Sequence, residues 1–225
     1  MEIILTGIGT ALTIAVNLAP FSSLHSASKS HNLEEISHLY LLLANITQLA
    51  WALYGFKGKI WLAFIPSMFA FCIGIIWIVW YHMINKNAFV FMLKYTSALF
   101  GFSLLLLNFI NVETLGLFAD IISFIGMIAP LEQVIPALVE KNHRYIDIKI
   151  IVACVLNGFV WLAYGILINN NFIIVPNMFT VLVCSFQITI YGWAKGVLPE
   201  GTFALLSDYI KPYSQKGNKE PILII

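Results

Sequence analysis

Trp51-Ala52-Leu53-Tyr54-Gly55, followed by Pro66-Ser67-Met68-Phe69, returns later in the chain as Trp161-Leu162-Ala163-Tyr164-Gly165 and Pro176-Asn177-Met178-Phe179. The offset is 110 residues in both cases, and it carries residues 1–83 onto residues 111–193 without a gap. Ala19-Pro20 meets Ala129-Pro130 at this offset, and Tyr81 meets Tyr191. A shared liking for apolar residues matches Leu with Ile; it does not keep Pro, Trp, Tyr and Gly in register across three helices. Duplication inside an apolar chain is the usual layout of a carrier whose site lies between two halves.

Composition sets the class. Apolar residues make up 60% of the chain and charged ones 10%, with a mean hydropathy of +0.88, outside the range of soluble globular proteins. The net charge of +1 gives no electrostatic reason to expect nucleic acid. A spanning helix needs about 20 apolar residues. Seven stretches qualify, at 3–24, 37–56, 60–83, 88–110, 115–138, 148–168 and 172–194. The first lacks a basic leader and carries Pro20 where a cleavage site would need small residues, so a retained helix is expected. Cys72, Cys154 and Cys184 fall inside these stretches and read as small apolar residues rather than a disulfide framework. No cofactor is expected, no spacing of His, Cys or carboxylates matches a metal site, and the five histidines read as loop or headgroup-level residues.

Basic residues sort the loops. With the N-terminus outside, ten Lys and Arg fall on the inner side and only Lys57 and Lys59 on the outer. That bias predicts an N-outside, C-cytosolic, multi-pass protein of a plasma or inner membrane. Three crossings reverse the chain, so a second copy would be inverted unless a further helix intervenes, and 85–110 supplies it. The expected fold is all-α, with seven transmembrane helices as two parallel three-helix repeats (1–84 and 111–195) around a linker helix. Residues 196–225 form a cytosolic tail, expected to be disordered and to touch the inner lipid surface.

Polar stripes mark what faces the middle. Thr6, Thr10, Thr13 and Asn17 share a face of the first helix, and Asp120, Ser123 and Met127 follow the same stripe in the fifth. Thr47, Trp51 and Tyr54 align in the second helix as Asn157, Trp161 and Tyr164 do in the sixth. Single hydroxyls on such stripes are explained by interhelical bonds; symmetric large aromatics suit a shared cavity better, because close helix packing uses small residues. Two indoles, an amide and hydroxyls with few charges suit a neutral hydroxylated molecule, since a sugar's C–H face lies on indole while its hydroxyls need donors and acceptors. Trp51, Ser67, Trp161 and Asn177 are the expected substrate-binding set. Pro20, Pro66, Pro130 and Pro176 each remove a backbone donor and serve as matched hinges.

At these residues the chain resembles the SWEET family of sugar transporters. The likeness covers about 190 residues and is most specific at Trp161-x-x-Tyr164-Gly165 with Val175-Pro176-Asn177. It implies that Trp161 stacks on the sugar and Asn177 binds it, with Trp51 and Ser67 in the matching first-half positions. It also implies that Tyr54 and Tyr164 belong to an outer gate. Three departures mark a divergent member: Ser67 replaces the usual Asn, and Leu39–Leu43 and Lys149–Val152 lack the family's prolines. Pro20 and Pro130 follow Ala rather than Ser.

The expected function is thus facilitative, bidirectional transport of a mono- or disaccharide by alternating access about a midplane site. A carrier of amino acids or another small metabolite is the alternative, but the paired positions lack the charges that a zwitterion needs. A seven-helix receptor is a further alternative, for which the single Arg144 gives little support. No nucleophile–base pair in the spans points to an enzyme. Sugar and the lipid bilayer are the expected partners, and a homo-oligomer is compatible with the sequence. Asp120 is assigned to the gate stripe, as a hydrated outer-vestibule residue with a proton-coupling carboxylate as the sharper alternative.

Overall fold

In a computed structural model, the described residues are 2–19, 38–84, 88–131 and 134–217, with Phe21, Leu24, His25, Ser28 and Lys29 between the first two segments. All regular structure among them is helical. The elements are α1 (Glu2–Leu18), α2 (His38–Lys57), α3 (Trp61–Ile84), α4 (Ala88–Phe109), α5 (Val112–Leu131), α6 (Val134–Val139), α7 (Ile148–Leu167), α8 (Asn171–Ala194) and α9 (Gly201–Gly217), with a 3-10 turn at His143–Tyr145. Three of these, α3, α7 and α8, are long and apolar enough to cross a bilayer by length and composition.

Packing follows the duplication. In each half the third helix lies between the other two: α3 touches both α1 and α2, and α8 touches both α5 and α7. The halves join through α1 with α7 and α2 with α5, so six helices close into a ring, and α4 lies outside it against α3 and α2. A Cβ on Gly9 would meet Val160 and Trp161, while Thr13 bonds Asn157, so α1 and α7 run antiparallel. Trp51 bonds Ser123 and Thr47 faces Gly126, which makes α2 and α5 antiparallel in the same way.

The hairpins α2–α3 and α7–α8 repeat bond for bond. Ile60 N donates to Gly55 O at 2.8 Å and Lys59 N to Phe56 O at 3.2 Å. Asn170 N donates to Gly165 O at 2.9 Å and Asn169 N to Ile166 O at 3.2 Å. This is the Schellman cap, whose penultimate residue must be left-handed. Lys59 (φ 57°) and Asn169 (φ 50°) fill that place, and of the two Asn tolerates it better. Directly before each turn a glycine lets the next helix in: a Cβ on Gly55 would lie 2.8 Å from Phe64 N, and one on Gly165 3.0 Å from Ile174 N. Hydroxyls that would otherwise meet hydrocarbon donate back to their own helix, as in Thr47 to Leu43 O, Ser103 to Leu99 O and Thr180 to Pro176 O. Lys57 Nζ caps α4, donating to Leu107 O at 2.6 Å and to Ile110 O. A cation there also complements the negative helix end.

Residues 132 and 133, between α5 and α6, lie outside the described residues. His82 is buried near the end of α3. One expectation changes. The tail expected to be disordered forms α9 over Gly201–Gly217 and packs on α6. Ser207 Oγ, itself buried, donates to Leu138 O at 2.8 Å; Trp193 Nε1 donates to Glu200 O at 2.8 Å; Phe203 sits edge-on to Trp193. Tertiary contacts, not the polar composition of the segment, hold this helix.

Replacing Gly55 by Ala should destabilise the protein by about 1–3 kcal/mol, because the methyl meets backbone that cannot swing aside. Gly101 has open space around it, so Gly101→Ala should be neutral or stabilising by up to about 1 kcal/mol. Thermal unfolding of both variants in detergent checks the contrast.

Candidate functional site between the repeats

The site grows from the helix stripes. Trp51 on α2 and Trp161 on α7 lie at matched positions, and each indole N–H finds its acceptor in the other half. Trp161 Nε1 donates to Thr13 Oγ1 at 3.0 Å, and Trp51 Nε1 to Ser123 Oγ at 2.9 Å. Thr13 and Ser123 are themselves related by the 110-residue offset, so these are two copies of one bond. Both acceptors are secured: Thr13 Oγ1 donates to Asn157 Oδ1 at 3.0 Å and Ser123 Oγ to Ala119 O at 2.7 Å. Trp161 is 9% exposed and Trp51 half-buried, and both rings point into the assembly, in contact with Tyr54 and Tyr164. Each Trp meets the Tyr three residues on in an edge-to-face contact with centroids 5.7 Å apart.

Ser67 on α3 and Asn177 on α8 stand half-buried at matched positions, one residue after the buried Pro66 and Pro176. Asn177 Nδ2 donates to Ile173 O at 2.7 Å, which leaves the amide oxygen and a second N–H for a ligand. Among the described residues no hydrogen bond joins Ser67 or Asn177 to the indoles. Pro130 falls in the last turn of α5. Pro20 and Glu132 lie outside the described residues.

Beyond the indoles, towards the α2–α3 and α7–α8 turns, the seam is closed. The Asn170 amide donates to Tyr54 Oη at 2.7 Å, and Phe172 packs edge-on to Tyr54 with centroids 5.7 Å apart. Phe172 also presses on Gly116 of α5, where a Cβ would lie 2.6 Å from its ring. Tyr54 is 2% exposed. Asp120 lies just inside this closure, 7% exposed and within electrostatic reach of Tyr54. It is therefore buried rather than open to a vestibule. Asn170 and Phe172 escaped the sequence reading because an Asn in a turn reads as a cap. Their repeat mates Ile60 and Leu62 could have signalled that the two halves differ here.

Removing either end of a seam bond should expose the coupling between halves. A double-mutant cycle of Thr13→Val with Trp161→Phe, read by unfolding, should give an interaction of about 0.6–1.5 kcal/mol. Independent losses that simply add would mean that the bond does not tie the repeats.

A family model described as a sugar efflux transporter for intercellular exchange matches residues 113–195, the second repeat. "Sugar transporter SWEET1" of Drosophila pseudoobscura pseudoobscura is 29% identical over 80 residues, 36% of this chain and 35% of that protein. "Sugar transporter SWEET1" of Dictyostelium discoideum is 24% identical over 80 residues, 36% of each chain. The matched stretch thus spans about a third of these relatives. Among solved structures, a eukaryotic SWEET transporter superposes with a TM-score of 0.77 at 15% identity, covering 87% of this chain and 97% of that one. At that identity the likeness is one of fold. The shared fold runs over nearly the whole length, first repeat included. The second repeat is thus similar to a sugar efflux transporter family, and the chain as a whole has the fold of a eukaryotic SWEET transporter.

Proposed function

We propose that the protein is a facilitative sugar carrier that alternates access to a site between its two repeats. The observation that carries this reading is the pair of equivalent bonds from Trp51 to Ser123 and from Trp161 to Thr13. They set two indoles on a common seam, the kind of apolar face on which a sugar ring stacks. Ser67 and Asn177 offer hydroxyl and amide groups to the sugar's hydroxyls. The name of the matching family model and those of the two relatives supply the substrate class.

Seven crossings in a 3+1+3 plan, with α4 as the linker, fit the antiparallel pairing of α1 with α7 and α2 with α5. Within a three-helix unit the first and second helices run oppositely, so that pairing goes with halves of like direction. The Lys and Arg bias then puts the α2–α3 and α7–α8 turns outside. In this orientation the Tyr54–Asn170 bond and the Phe172–Gly116 contact form the outer gate, closed in this conformation. Tyr164, the repeat mate of Tyr54, joins the gate layer from α7. Pro66 and Pro176, each just inside its helix, and Pro130 in the last turn of α5 give the units places to bend as they rock. Pro20, in the first repeat's equivalent of the Pro130 position, completes the hinge set.

Labelled glucose or sucrose should enter proteoliposomes containing the wild-type protein. Trp161→Ala and Asn177→Ala should each cut uptake about tenfold or more, as a loss of roughly 1.4 kcal/mol of sugar binding requires. Uptake that both substitutions leave intact would move the site elsewhere. Tyr54→Phe, which removes the hydroxyl that Asn170 holds, should increase labelling of a cysteine placed at Gly116 by an impermeant thiol reagent. Unchanged labelling would remove Tyr54 from the gate.

A further inference from the structure

Asp120 breaks the symmetry of the seam, because its repeat mate on α1 is Thr10. On α5 it belongs to a stripe, Gly116, Asp120, Ser123 and Met127, whose other members all meet helices across the seam. Phe172 presses on Gly116, Trp51 Nε1 donates to Ser123 Oγ, and Thr180 Oγ1 donates to Met127 Sδ at 3.6 Å. With Phe124 edge-on to Phe179, these contacts set α5 and α8 side by side in one direction. Asp120 therefore stands between the Gly116 and Phe124 levels, at the height of the α8 stretch 172–179 that carries Asn177. Trp51 approaches the same stripe from α2, one turn further along.

The carboxyl is more than nine-tenths buried, and its Oδ1 has no hydrogen-bond partner among the described residues. No ion pair among those residues includes it. The cations of the neighbouring helices are placed elsewhere. Lys57 of α2 is committed to the α4 carbonyls, and His38 begins that helix at its other end. The α4 helix meets α5 through Phe102, edge-on to Phe118, and its Lys94 is exposed two turns earlier. The α6 and α8 helices carry no Lys, Arg or His. Tyr54 is the ionisable neighbour, and Asn170 holds its hydroxyl.

A buried carboxylate with neither cation nor donors is costly, and O–H groups supply what it lacks. A sugar ring brings adjacent hydroxyls, each of them a donor. We propose that Asp120 is a further sugar-binding residue, whose oxygens accept from two adjacent hydroxyls and so select substrates that carry both; the inference rests on the carrier reading above. Asn177, at the same height on α8, has its amide oxygen and a second N–H left for other hydroxyls. A site built to pair with a hydroxyl rejects the analogue that lacks it, because its own polar group is then left unpaired. Thr10 offers a single hydroxyl at the equivalent place, so this selection comes from the second repeat.

Competition in proteoliposomes containing the full chain tests this. Glucose and each of its monodeoxy derivatives compete with labelled glucose for exchange. In the wild type, deoxygenation at one or both of two adjacent positions should weaken competition about tenfold or more. Asp120→Asn and Asp120→Thr should each bind glucose about tenfold more weakly. Both should also lose the discrimination, so that the same derivatives come within about twofold of glucose. Asn keeps the shape of the side chain and Thr is the first repeat's residue at this place, so the comparison survives if one variant fails to fold. The inference is overturned if the wild-type profile is flat, or if the variants weaken all the sugars alike, as a merely structural role would. It is also overturned if a 2-amino sugar competes better than glucose, which gives the carboxylate to a cation. Wild-type protein that exchanges no sugar would overturn the carrier reading as well. Exchange with unaltered ratios in the variants overturns the Asp120 assignment alone.

Discussion

The two indole-to-hydroxyl bonds across the seam are the constraint on which the rest of the assembly turns. A buried indole N–H without an acceptor costs about 1–3 kcal/mol, and a hydrocarbon surround supplies none. Trp51 and Trp161 resolve this by reaching Ser123 and Thr13 in the opposite repeat. Neither half satisfies its own tryptophan. The bonds therefore fix which helices face each other, at what height and in which relative direction. The ring of six helices follows from that pairing, and so does the placement of both indoles along the seam between the halves.

Symmetry is strict where the scaffold needs it and lapses where the halves must act differently. The hairpin turns match in hydrogen bonding and in their left-handed residues, and Gly55 and Gly165 admit the next helix alike. The ends of the seam diverge. Tyr54 is held by Asn170, whereas the residue at Asn170's place in the first half is Ile60. Asp120 faces no repeat-mate carboxyl, because Thr10 stands there. Lys57 ties α4 to the first half, and its counterpart Leu167 has no such reach. Within the first half, the same helix is anchored deeper by Tyr95, whose hydroxyl donates to Asn45 Oδ1 at 2.9 Å while Asn45 Nδ2 donates to Phe71 O at 2.8 Å. Gly74 leaves room for that Asn: a Cβ there would lie 2.2 Å from Asn45 Nδ2.

The end of the chain shows how far composition misleads. Residues 201–217 mix Lys, Pro, Ser and Gly, a pattern that predicts disorder. Yet Phe203 meets Trp193 and Phe186, Ser207 closes on a free carbonyl of α6, and Lys141 pairs with Glu200 at 2.7 Å. The ion pair is exposed and adds little. The Lys141 ammonium holds the Glu200 carboxyl below its usual range, so the small stability it adds fades as the pH falls through that lowered value. Buried aromatic contact and a satisfied carbonyl carry the docking.

Periodicity and duplication by themselves determined that the chain is helical, that it repeats at 110 residues, and that Trp51, Trp161, Tyr54 and Tyr164 share stripes facing inward. Those features are local or self-referential: an offset compares a sequence with itself, and a stripe needs only 3.6 residues per turn. Which stripe meets which was decided only in three dimensions. Thr13 and Ser123 read as two among many membrane hydroxyls until the fold set each against an indole from the other half. Asp120 read as a hydrated carboxyl until α2 and α8 closed over it, and Asn170 as a turn residue until Tyr54 reached it. Partners separated by 72, 116 and 148 positions leave no trace in local pattern; they exist only because helix packing brings distant stripes to one seam.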